Sequence, residues 1–98
     1  MNVVTNPQVK LLAQGKSFMA KEMAANAGVL MPKHVSTEES ILVIQKGKCV
    51  IHLEDSAQIL NQGDVFIVPA NEKHQIETKE DFKAVHVMPN GIEFEFFK

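Results

Sequence analysis

The chain has 98 residues, room for one domain with one core. Hydrophobic residues make up 45% and charged residues 22%, and the net charge is −2, so there is no basic footprint for nucleic acid. No apolar run reaches the length that spans a bilayer, and Met1-Asn-Val-Val-Thr-Asn-Pro7 lacks the basic-then-apolar order of a secretion signal. Residence in the cytoplasm is the expectation, with neither membrane nor nucleic acid as partner.

In chain order, Val9–Gln14 and Phe18–Ala25 come first and are rich in helix formers. Taken alone they read as short helices; in an all-β context the second reads as a strand closed by the turn Asn26-Ala-Gly28. From there the segments are short, β-branched and punctuated by turn residues. Ile41–Ile44 runs into Lys46-Gly47, Lys48–Leu53 into Glu54-Asp-Ser56, and Ala57–Leu60 into Asn61-Gln-Gly63. Asp64–Val68 stops at Pro69, Phe82–Met88 stops at Pro89-Asn-Gly91, and Ile92–Phe96 alternates apolar and acidic residues. Gly47, Gly63 and Gly91 stand where hairpins call for positive φ. Cys49 is the lone cysteine, set in the apolar run Cys49-Val-Ile51, and reads as a small buried hydrophobe. Many short strands at this spacing predict an all-β sandwich or barrel with few or no helices.

Two stretches carry more. Gly28-Val-Leu-Met-Pro-Lys-His34-Val-Ser36-Thr-Glu-Glu39-Ser40 leads into a strand ending at Gly47, and Gly63-Asp-Val-Phe-Ile-Val-Pro69-Ala-Asn71-Glu-Lys-His74 follows 16 residues on. Together they resemble the two motifs of the cupin family. That resemblance implies a double-stranded β-helix, a jelly-roll barrel, over residues 1–98, with an N-terminal strand or arm at 1–16, the barrel at 17–90 and a C-terminal strand at 91–98. It also implies a site. His34 falls on the first motif histidine, Ser36 on the second, Ser40 on the glutamate and His74 on the last histidine. Asn71 stands where glycine is usual and Thr78 where asparagine is usual. Two of four ligand positions are therefore serine, a poor ligand for a divalent metal beside imidazole or carboxylate.

Residues two apart on a strand share a face, so His34 and Ser36 are expected to point one way, as are Ser40, Leu42 and Ile44. With Lys83 outside, Phe82, Ala84, His86 and Met88 turn inward, and His86 becomes a third candidate beside His34 and His74. Glu39, one residue out of register, reaches the interior only through a bulge, and Glu38 lies further back. His52 faces outward and carries no role. Val65 and Ile67 fit the inward set, leaving Phe66 and Val68 on the far face with the apolar stripe Ile92, Phe94 and Phe96.

The expected site is an apolar cavity whose polar residues are His34, Ser36, Ser40, His74, His86 and Thr78, holding a small organic ligand with no cofactor. The alternative is a metal-dependent dioxygenase, isomerase or lyase with iron, manganese, nickel or zinc on His34, His74 and His86. A third reading is a partner-binding protein with a vestigial pocket. Family habit and the apolar outer faces make a homodimer the expected assembly.

Overall fold

The computed structural model describes residues 4–97. Met1–Val3 of the expected arm and Lys98 of the expected C-terminal strand lie outside them. All the regular structure in this range is β: β1 Gln8–Gln14, β2 Phe18–Ala25, β3 Lys33–Ser36, β4 Ser40–Lys46, β5 Lys48–His52, β6 Ala57–Asn61, β7 Val65–Val68, β8 Gln75–Thr78, β9 Phe82–Pro89 and β10 Phe94–Phe97. Among the described residues no helix is long and apolar enough to cross a membrane.

One sheet runs β1-β2-β9-β4-β7. The facing layer consists of β10-β3 and β6-β5-β8, stitched together by bridges Leu30↔Glu77 and His34↔His74. Two layers of short antiparallel strands, with the chain crossing between them, make the double-stranded β-helix. Phe18–Ala25 is a strand despite its helix-forming composition. Paired on both sides, by β1 and β9, its backbone groups are satisfied in the sheet, and packing outweighs weak propensity.

Leu42, Ile44, Cys49, Ile51 and Leu60 are at most 1% exposed and fill the space between the layers. Burial in this apolar set pushes the Cys49 thiol up to about 12, so it is inert at neutral pH. β5 alternates strictly, with Cys49 and Ile51 inward, and β9 sends Phe82, Ala84 and Met88 inward with Lys83 out. Gly47 turns the chain from the large sheet into the facing layer at φ 84°, with the Asp81 backbone where a side chain would go. Gly63 is also at positive φ, as expected, but Gly91 is absent from the positive-φ set. There, Ile92 N–H donates to the Pro89 carbonyl in a turn that leaves glycine's freedom unused.

The phase of β7 is the reverse of the expected one. Val65 and Ile67 are 61% and 50% exposed, while Val68 is buried and Phe66 packs against the core. Register explains it: Val68 lies opposite Ser40 and Phe66 opposite Leu42, and cross-strand partners share a face. β10 also differs from expectation, because it pairs with β3 rather than lying outside the barrel.

Candidate functional site

The site begins with a register match. His34 N–H donates to the His74 carbonyl at 3.0 Å, and His74 N–H donates back to the His34 carbonyl at 2.9 Å. Residues paired in this reciprocal way stand side by side on one face of the layer. Each ring then repeats the same local contact. His34 Nδ1 lies 3.2 Å from the Pro32 carbonyl, and His74 Nδ1 lies 3.0 Å from the Glu72 carbonyl, two residues upstream in both cases. The two Nε2 atoms meet at 2.9 Å.

These partners assign the tautomers. A carbonyl oxygen only accepts, so each Nδ1 carries the hydrogen and each Nε2 presents a lone pair. Burial holds the His34 ring below its ordinary imidazole range, and His74 pushes it further the same way against the Pro32 carbonyl. Burial likewise lowers His74, opposed by the Glu72 carbonyl. Two neutral rings thus aim acceptors at each other across 2.9 Å. Such a pair is completed by an electrophile: a proton, a cation, or an O–H or N–H donor from a ligand.

His86 enters from the opposite sheet, where β9 pairs it with Leu42 of β4 and Lys21 of β2. Burial pulls its ring down to about 4, with His34, His74 and Lys21 each adding to the effect. Its Nε2 is not directed to the histidine pair but lies 2.6 Å from the buried Ser40 hydroxyl.

Between the layers lies a cavity of about 410 Å³, within the range of small-molecule sites. Met31, Leu42, Ile51, Val68 and Ile76 line it together with His34, His74 and His86, and Lys21 of the five-stranded sheet and Phe94 and Phe96 of the facing layer complete the lining. The Phe94 ring packs edge-on to His34 at 5.6 Å between centroids, and Phe96 is tilted against it at 5.2 Å. Phe96 stays 63% exposed, at the rim.

The structure brings His34, His74 and His86 to this cavity, with Ser40 behind His86. It does not bring Ser36 or Thr78 to the wall. The Ser36 hydroxyl donates to the Glu38 carbonyl in the turn before β4. The Thr78 hydroxyl, 0% exposed, donates to the Asn26 carbonyl at 2.6 Å and accepts Val29 N–H at 2.8 Å, pinning the corner between β2 and β3. Glu38 and Glu39 are exposed, with no bulge turning them inward. His52 pairs with Glu77 on the outer surface.

Sequence reasoning passed over Lys21 as a cavity residue, and it assigned Phe94 and Phe96 to the outside. The even spacing of Met19, Lys21 and Met23 along β2 was the available signal for Lys21, masked by its helix-forming neighbours.

The donor set does not amount to the three-histidine metal centre of the alternative reading. His34 and His74 converge, but His86 is turned to Ser40. Among the described residues no group of three or more His, Cys, Asp or Glu side chains is placed to hold a metal ion. Two imidazoles alone grip a divalent metal weakly.

A family model described as an AraC-like ligand binding domain matches residues 23–96. No curated protein matches the sequence. Among solved structures, an uncharacterized conserved protein with a double-stranded β-helix domain from Klebsiella pneumoniae superposes with a TM-score of 0.83 at 18% identity, covering 95% of this chain and 85% of that one. DMSP lyase DddQ from Ruegeria pomeroyi superposes at 0.78 and 21% identity over 88% of this chain and 48% of its own. A salicylate 1,2-dioxygenase mutant from Pseudoaminobacter salicylatoxidans, in complex with gentisate, superposes at 0.82 and 11% identity over 97% of this chain and 30% of its own. At these identities the likeness is one of fold.

Proposed function

The chain belongs to the AraC-like ligand binding domain family, a cupin-fold small-ligand-binding domain, and from that premise we propose that its cavity takes a largely apolar organic molecule offering an O–H or N–H donor to His34 and His74, without a standard cupin metal site. The observation that carries this reading is the convergence of two neutral Nε2 acceptors, 2.9 Å apart, on an apolar cavity of about 410 Å³. Apolar walls supply affinity and the few polar groups supply orientation. A ligand hydroxyl facing the two Nε2 atoms can donate to one or the other while both Nδ1 bonds to the carbonyls are kept.

The test joins two measurements on protein prepared without a metal-chelating tag. Elemental analysis is expected to find no stoichiometric transition metal. A thermal-shift screen is expected to pick out hydroxylated apolar compounds, a ligand at ten times its Kd stabilising by about 1.4 kcal/mol, worth several degrees in Tm for a chain this size. Loss of the response in His74→Ala supports the assignment. A stoichiometric metal that disappears in His74→Ala replaces this reading with the metal-dependent one, toward which the dioxygenase and lyase neighbours lean.

A further inference from the structure

Lys21 is the residue in the cavity that neither packing nor the family motifs explain. It lies on the inner face of β2, in a row that crosses the sheet from Leu11 through Lys21 and His86 to Leu42. The next row, Lys10↔Glu22↔Val85, belongs to the opposite face. Met23 and Met88, inward-facing beside it, are apolar wall. Among the described residues Lys21 forms no ion pair; Glu22 is joined to Lys83 and Glu77 to His52 and Lys79. Among the described residues the cavity wall contains no aspartate or glutamate. Its ionisable side chains are three imidazoles and this one ammonium, which is close enough to His86 to help keep that ring neutral.

We infer that the ligand is an anion, an apolar monocarboxylate whose charge is held by the Lys21 ammonium inside the cavity. The inference rests on the ligand-binding reading above and names the class of molecule. Lys21 lines a mostly apolar cavity with no carboxylate partner of its own, and a carboxylate arriving with the ligand pairs with its ammonium through a charge-assisted hydrogen bond. A single lysine, with no arginine on the wall and no glycine-rich phosphate loop, matches one unit of negative charge better than a phosphate dianion. The apolar remainder lies against the apolar lining of Met31, Ile51, Ile76 and Phe94.

The experiment is a matched series read by isothermal titration calorimetry: 4-hydroxybenzoate and 6-hydroxyhexanoate, each against its primary amide. The carboxylates are expected to bind about ten-fold or more tightly than the amides. That advantage, read as the ratio of carboxylate to amide affinity within each variant, is expected to vanish in Lys21→Met and to persist in Lys21→Arg. Circular dichroism and thermal melts of the variants verify that they fold. Amides binding as tightly as carboxylates would overturn the anion inference while the ligand-binding reading stands, the result if Lys21 simply extends its ammonium to solvent. A carboxylate preference that survives Lys21→Met would remove Lys21 from the role. Failure of every compound of both charge types, together with no response in the wider screen, would overturn the ligand-binding reading itself.

Discussion

Each polar side chain of this interior is decided by what it can reach. Thr78 was expected in the pocket and instead closes a corner: one hydroxyl serves the Asn26 carbonyl and the Val29 N–H together. Thr78→Val keeps the shape and removes both bonds, stranding a backbone donor and acceptor. It is expected to cost about 1–3 kcal/mol of stability in urea unfolding while leaving ligand affinity unchanged. The histidines yield a second expectation. Unfolded imidazoles protonate near 6.5, whereas His86 in the fold resists protonation until about 4 and His34 and His74 are lowered as well. Between those values the unfolded chain binds more protons than the folded one, so stability is flat above pH 7 and falls as pH drops through 6.5. A loss of about 1–2 kcal/mol from His86 alone is expected between pH 7.5 and 5.0, read from urea midpoints in chelator-containing buffer. A midpoint unchanged over that range would mean the rings are not buried as described.

Elements set which residues meet, and here the sequence is an uneven guide. The inward set of β9 and the face of β5 were legible because one polar residue fixes the phase of each, Lys83 in the first and His52 in the second. β7 was not, since Val65-Phe-Ile-Val68 is apolar throughout and its phase comes from pairing with Ser40 and Leu42. β10 was placed outside because period alone cannot say which strand it joins, and pairing with β3 carries Phe94 and Phe96 to the cavity. His34 and His74 were legible as a pair from their motif frames. The hydroxyls of Ser36 and Thr78 were not, because their partners are backbone groups exposed only once the corners form. Corner geometry can be tested with two glycines. Gly47→Ala meets both a positive φ and the Asp81 backbone and is expected to cost at least ~2 kcal/mol, whereas Gly63→Ala, with open space at φ 92°, is expected to cost ~1 kcal/mol. Equal losses in denaturation midpoint would contradict the close approach at Gly47.

For the whole molecule, the two outer faces differ in kind. The β6-β5-β8 layer presents the chain of polar contacts from His52 through Glu77 to Lys79. The five-stranded sheet presents a grid of Val87, Ile41 and Ile67 above Val85, Val43 and Val65, bordered by Glu22 and Lys83. An apolar patch of this order with a mixed-charge border is what a second copy can cover by two-fold symmetry. Light scattering coupled to size exclusion is expected to give twice the 10.9 kDa chain mass, and Ile67→Lys, at the sheet edge, to return it to one. Wild-type protein running at the single-chain mass would leave the homodimer without support.

The reciprocal hydrogen bonds between His34 and His74 have a final consequence. They run through the backbone, so the stitch that joins the two halves of the layer is blind to which side chains hang from it. Reactive groups at these positions are pendants on a hem that stays sewn without them. A barrel built this way can trade an imidazole for a hydroxyl, or recover it, one substitution at a time, and remain a barrel at every step.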